Sequence, residues 1–452
     1  MALTGSGSIR VKRAILAANW AAVLATVLKI TAAVVFSGGS AVVMADNPFA
    51  ALQEYQAIRV EAEDLPEAAS MPIDSLSLAA VVEGRLEPVP FQIDEYNIGG
   101  GVYFEHWDVP IDGKRDVFDA HDKLLFLNRD AGPRRTSDMV YDGKILAEIH
   151  LSDASQPDRY VYLAKDSRLR SDTQYVRYSS KEALLETDFF SMKFDQKNLL
   201  NWNQFEYNGF QGKAPLDSLK IRFNTGVVTN VTSTEMDNNN FVAHPVGDRV
   251  GPIRTVSQWN VDFIFAGVSL MQASIQLHVY PKSMVYDCRI VIPSVRRSFL
   301  VNPQMSIMVD GNNLMGAKVR MSASPNVAVV DGRISPEEEK MRNTLVDPEH
   351  NWIWMHTGKQ FDTVWFYDDL GGPLESVRFS YEDNATQPQP PERFPGQLPG
   401  VGHTILQFPT SGFYGFAGSF YFEPGFGNLS PEVFTAALRN QPDIEVTSLV
   451  PV

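Results

Sequence analysis

Short runs of alternating apolar and polar residues, separated by turn formers, restrict this chain more than any other feature. In residues 273–280, Ile275, Leu277 and Val279 oppose Gln276, His278 and Tyr280. In residues 284–292, Tyr286, Cys288, Ile290 and Ile292 share one face, while Asp287 and Arg289 take the other. Successive side chains of a strand point to opposite faces, so this period suits half-buried strands and not helices. Similar segments recur at 160–163, 175–178, 219–223, 256–265 (broken by Asn260 and Asp262), 306–309, 327–330, 363–366 and 377–381. Asp142-Gly143, Asp310-Gly311-Asn312-Asn313 and Asp331-Gly332 punctuate them. Such spacing predicts an all-β chain, a large antiparallel β-sandwich with a few short helices. Two helix starts are legible, at Ser335-Pro336-Glu337 and Ser430-Pro431-Glu432, each with Ser as N-cap and Pro at the first helical position.

Residues 1–45 carry Arg10, Lys12, Arg13 and Lys29, no acidic residue, and a long apolar stretch ending in Val43-Met44-Ala45. A basic start, an apolar middle and small residues at the cleavage positions predict a secretory signal cut after Ala45; a retained anchor is the alternative. A cleaved chain is expected in the periplasm or outside the cell, with no later stretch long and apolar enough to span a bilayer. The 452 residues bear 54 acidic against 39 basic side chains, which disfavours nucleic acid as a partner. The single cysteine, Cys288, excludes internal disulfides and thiolate metal clusters. The organisation expected is an N-terminal β region over 46–215 and a C-terminal sandwich region over 216–452, which can equally form one continuous domain. The proline-rich stretch 383–400 is expected to be a loop.

One segment has the pattern of a metal loop. With Asp108 as position 1, acidic residues fall at 1, 5, 9 and 12 (Asp108, Asp112, Asp116 and Asp119), Gly113 at 6, and the Lys114 carbonyl at 7. Hard oxygen ligands with a glycine at the sharp turn suit Ca²⁺. Pro110 supplies no oxygen at position 3, and Asp119 is shorter than the usual bidentate Glu. The other reading is an acidic surface turn. The loop resembles the calcium loop of dockerin repeats, but a single copy does not imply a cohesin partner.

A second resemblance lies around it. Residues 88–95, Pro-Val-Pro-Phe-Gln-Ile-Asp-Glu, the Asp-Gly loop, and residues 122–127, Asp-Lys-Leu-Leu-Phe-Leu, are similar to a pattern in exported bacterial proteins of the β-supersandwich group, which includes galactose mutarotases and polysaccharide lyase domains. Gly251-Pro252-Ile253-Arg254-Thr255 is also reminiscent of that group. The resemblance implies a supersandwich fold and carbohydrate as a candidate ligand.

No HxH, HExxH or GxSxG carries catalysis here. If the chain is an enzyme, the candidates are His278, Tyr280 and Arg289 on the polar faces of adjacent strands, with Arg254 as an anion ligand. Trp352 and Trp354 could stack on sugar rings, or fill a core. The leading expectation is a non-catalytic binding or assembly protein of the bacterial envelope, recognising carbohydrate or an envelope protein. The alternative is a carbohydrate-active enzyme of lyase or epimerase type.

Overall fold

The computed structural model describes residues 48–450 apart from 120, 155, 228, 266, 294–297, 299, 372–376, 386–395, 408–411 and 426–428. The export segment expected at 1–45 lies outside the described residues. From Asn47 onward the chain forms one compact unit.

The fold is all-β, with antiparallel sheets stacked face to face. A nine-stranded sheet is its centre, in the order Phe241–Val250, Thr255–Phe265, Val268–Tyr280, Ser283–Ile292, Gly412–Glu423, Asp362–Asp369, Trp352–His356, Lys318–Met321, Val327–Val329. The alternation read at 273–280 and 284–292 decides its two faces. Ile275, Leu277, Val279, Tyr286, Cys288 and Ile290 enter the main core. That inner face packs on a five-stranded sheet built around Leu216–Val227, Leu300–Gly311 and Gln397–Ile405. Phe223 meets Phe263 edge-on across the gap. A four-stranded sheet, Val176–Ser179 to Asn198–Tyr207, closes the rest of the core through Trp202, Phe205 and Phe190. The Trp202 indole donates to the Tyr286 hydroxyl at 3.1 Å.

The outer face of the nine-stranded sheet is covered too. Ala57–Glu61, Lys123–Leu127 and Gln92–Asp94 form a small sheet. Its Ile58, Val60, Leu124 and Phe126 face a second core shared with the sheet of Leu76–Val82, Lys144–Asp153 and Gln156–Lys165. Its other side, with Leu125 and Leu127, joins the main core. The last strand, Asp443–Ser448, returns to pair with Lys144–Asp153.

Both helix starts appear as read. Ser335 caps Pro336–Arg342 in a reciprocal capping box with Glu338, and Ser430 caps Pro431–Arg439. Two expectations need correction, and one open choice, at Trp352 and Trp354, is decided. Asn260 and Asp262 do not break residues 256–265: the strand runs unbroken from Thr255 to Phe265, because both residues fall on its outer face. The proline-rich loop stops before Gln397, since Gln397–Ile405 pairs with Val377–Asn384 and, from Gly400 onward, also with Leu300–Gly311; Pro399 is accommodated before that second pairing begins, where a bulge shifts the register between Glu382 and Asn384. Trp352 is buried and Trp354 half-buried beneath the Pro431–Arg439 helix, packed with Val364, Phe366 and Phe434, so neither is a free stacking surface.

Candidate functional site

The two sequence patterns at 88–95 and 251–255 meet in space. The Gln92 carboxamide oxygen accepts from the backbone N–H groups of Ile253 and Arg254 at 3.1 and 2.8 Å, and its nitrogen donates to Asp94 at 2.8 Å. Gly251 is needed for this approach, since a Cβ there would come within 2.2 Å of the Gln92 side chain. Asp94 receives the Arg254 guanidinium through Nε at 2.8 Å and Nη2 at 2.6 Å. Arg254 is 2 % exposed and Asp94 3 %, so this is a dry, charge-assisted pair.

The rest of the guanidinium points along the outer face of the strand Val268–Tyr280. Its Nη1 lies 2.9 Å from His278 Nδ1 and donates to the Tyr280 hydroxyl at 2.6 Å; Nη2 reaches the Tyr96 hydroxyl at 3.2 Å. A guanidinium only donates, so His278 Nδ1 is the acceptor and the imidazole proton sits on Nε2. Burial, with Arg254, Arg59 and Arg289 nearby, holds His278 well below its ordinary value and therefore neutral. Arg59, on the strand Ala57–Glu61, donates to the same Tyr280 hydroxyl at 2.7 Å. Burial by itself pushes the Tyr280 phenol upward, but Arg254 and Arg59, by charge and by hydrogen bond, outweigh it and bring the group below the ordinary tyrosine range.

Tyr280 and Arg59 also line a cleft of about 370 Å³. Tyr55, Lys282, Tyr421 and Glu423 complete its polar wall. Tyr280, Ser283 and Tyr421 lie in one cross-strand row, which puts Tyr421 about 10 Å from Tyr280 by the strand spacing. Lys282 pairs with Glu423 at 2.9 Å. Burial, eased by Lys282 and aggravated by Asp362, raises the Glu423 carboxyl to about 7. Asp362 sits directly opposite Glu423 across the sheet and binds His356 at 2.8 Å. The cleft thus brings together a phenol that is easier to ionise than usual and a carboxyl that keeps its proton to near neutrality, the two roles that acid–base chemistry requires.

Of the four enzyme candidates, Arg254, His278 and Tyr280 converge and Arg289 does not. The antiparallel register pairs Arg289 with Ser274, while Tyr280 pairs with Ser283 at the other end of the hairpin. Arg289 instead holds Asp287 through two bonds of 3.1 Å and donates to the Gly99 carbonyl. Arg59, Lys282 and Glu423 escaped the sequence reading. For Arg59 the signal was present, in the alternation of Ile58 and Val60 with Arg59 and Glu61. Lys282 sits in a turn and Glu423 ends an aromatic-rich strand, and neither pattern marks them out.

The acidic loop is folded differently from a ligand cage. Asp119 accepts from the Lys114 N–H at 2.7 Å, and the Lys114 carbonyl accepts from Val117 at 3.3 Å. Asp112 pairs with His121 at 2.8 Å, the Asp116 side chain is 83 % exposed, and Asp108 is exposed. Among the described residues no group of three or more His, Cys, Asp and Glu side chains is placed to hold a metal ion. Calcium binding by Asp108, Asp112, Lys114, Asp116 and Asp119 would require the loop to rearrange, freeing Asp119 from the Lys114 N–H and Asp112 from His121. Behind the loop, burial, with Asp119 and Glu95 adjacent, raises the Asp122 carboxyl to about 7.

The sequence matches no known family and no curated protein. Among solved structures, an alpha-mannosidase from Enterococcus faecalis overlays with a TM-score of 0.49 at 8% identity, over 88% of this chain and 45% of that one. A glycosyl hydrolase family 38 protein from the same organism gives 0.47 at 8% identity, over 88% and 46%. A lysyl oxidase from Pichia pastoris gives 0.28 at 9% identity, over 80% and 71%. The chain spans less than half the length of the two Enterococcus proteins it overlays. Overlays this loose carry no chemistry across to these residues.

Proposed function

We propose that this is an exported carbohydrate-active enzyme of the lyase or epimerase type, working in the periplasm or outside the cell, with the cleft at Tyr280 as its active site. The observation that carries the reading is the Tyr280 hydroxyl held by two guanidinium groups in the wall of a cleft large enough for a sugar ring. Both chemistries begin by removing a proton from the sugar. In the lyase form the Tyr280 phenolate takes the proton α to a uronate carboxylate, and the electron pair becomes a new C=C bond. The neighbouring C–O bond breaks, and the departing oxygen takes its proton from Glu423. Arg59, exposed in the cleft, is the group available to face the substrate carboxylate. Arg254 and His278 act through Tyr280 and are positioning residues.

One feature favours a purely binding role: Arg254 also ties the region around Asp94 to the sandwich, which a structural cross-link would do without catalysis.

Turnover on uronate polysaccharides, read as unsaturated product, and on reducing aldoses, read as change in optical rotation, tests the proposal. Activity on one of them, reduced at least about 10²-fold in Tyr280→Phe, is expected. A difference-absorbance titration should show one tyrosine ionising below the ordinary range and its loss in Tyr280→Phe. No turnover on either class, with sugar binding unchanged in Tyr280→Phe, returns the protein to the binding reading.

A further inference from the structure

At the far end of the same strands lies a second groove of about 400 Å³ on the outer face of the nine-stranded sheet. Gln272 is eight residues from Tyr280 on one strand, about 26 Å away, so the two sites are separate. Two cross-strand rows build the floor. Asn260, Ser274, Arg289 and Gly415 form one, and Asp262, Gln272, Val291 and Phe413 the other. Four adjacent strands make this floor about 14 Å wide. Asn260 and Gln272 are exposed, and Gln272 donates to Asp262 at 3.1 Å.

Two aromatic residues, Trp107 and Phe413, line the groove. The Phe413 ring is 50 % exposed and lies over Gly415, where a Cβ would come within 3.0 Å of it. The ring's seat therefore depends on that glycine. Trp107 comes from the acidic loop region and packs beside Phe104. The sheet itself fixes that loop: Gln276 clamps Val102 through both its N–H and its carbonyl, at 2.9 and 2.8 Å, and Arg289 holds the Gly99 carbonyl.

We infer that this groove is a second binding site, for an uncharged saccharide chain. Ring faces of Trp107 and Phe413 offer the apolar stacking surface that a sugar's C–H face needs, and Asn260, Gln272 and Asp262 offer hydrogen bonds to its hydroxyls. The charge balance sets the class of ligand. Arg289 is already neutralised by Asp287, and Asp262 leaves the floor without surplus positive charge, so a polyanion gains nothing there. The site stands independently of the chemistry at Tyr280.

Electrophoresis of the full protein through gels containing xylan, galactomannan, mixed-linkage glucan or polygalacturonate tests this. Retardation by at least one neutral polymer is expected. It should weaken about tenfold or more when Trp107→Ala and Phe413→Ala are combined. It should persist in Tyr280→Phe, and in Trp107→Phe, which keeps the ring and controls for folding. Retardation by polygalacturonate alone, retardation unchanged by the double substitution, or none in any gel overturns the inference.

Discussion

The Arg254 cluster and the Asp108–Asp119 loop are both rich in charge, and both lie on the outer side of the nine-stranded sheet. They behave in opposite ways. At Arg254 the charge is buried and answered: Asp94 takes two bonds, His278, Tyr280 and Tyr96 take the remaining donors, and Gln92 fixes the backbone. In the loop, Asp108 and Asp116 face water, and the turn is closed by backbone bonds and by Asp119 on Lys114. Exposed charges cost little and stabilise little, whereas a buried pair is strongly destabilised when only one partner is removed. The cluster is therefore where substitution should disable the fold and the site together, and the loop is where substitution should be tolerated.

The largest expected effect tests the cluster. Arg254→Met leaves Asp94 buried and uncompensated and should reduce stability by about 3–5 kcal/mol in urea unfolding. Combining it with Asp94→Leu should recover much of that loss. A cost below about 1 kcal/mol for Arg254→Met would erase the contrast between the two regions.

Next comes the geometry of the loop. Gly113 has φ +108°, and a Cβ there would sit 2.1 Å from an Asp119 oxygen. Gly113→Ala should cost about 1–3 kcal/mol, while Asp108→Ala and Asp116→Ala should each stay within about 0.5 kcal/mol. Larger losses at those two aspartates would show the exposed charges to be structural.

A pH series separates the regions further. Asp122 keeps its proton to about 7 in the fold, against 3.8 ordinarily. The folded state therefore binds the extra proton, and this contribution to stability falls as pH rises from about 4 to about 7. Asp122→Asn should flatten that fall in denaturation measured across the window. An unaltered slope would remove Asp122 as a source of loop strain.

The smallest effect is calcium. If the loop rearranges to bind it weakly, a concentration equal to the dissociation constant adds only about 0.4 kcal/mol, roughly 1 °C in melting temperature. The rise should vanish with EDTA and in Asp112→Ala. Equal melting temperatures with and without millimolar calcium would leave the loop as an acidic turn.

Much of the scaffold was legible residue by residue. The faces of 273–280 and 284–292 and the Ser335 and Ser430 caps appear as their patterns require, because each depends on neighbours a few residues away; the turn read at Asp310-Gly311 does not, since the strand Leu300–Gly311 runs through both residues. Arg289 shows the limit of the same reasoning. Its face was read correctly, but the register that separates it from Tyr280 is set by the hairpin turn at Pro281-Lys282. His403 is a further case. It lies in the core between Trp365 and Phe379 with neither ring nitrogen hydrogen-bonded, and burial lowers it to about 3, a placement that no local pattern announces.

By itself the sequence determined the strand period, the face that each strand buries, the capped helix starts and the acidity of the chain. All of these follow from side-chain spacing along a single element. Tertiary structure alone decided that Arg59 and Arg254 share the Tyr280 hydroxyl, across separations of 221 and 26 residues, and that Trp107 and Phe413 line one groove with Asn260, Asp262 and Gln272. Those meetings depend on which sheet lies on which and in what register. The free energy that sets them is spread over whole buried faces and is written in no short stretch of chain.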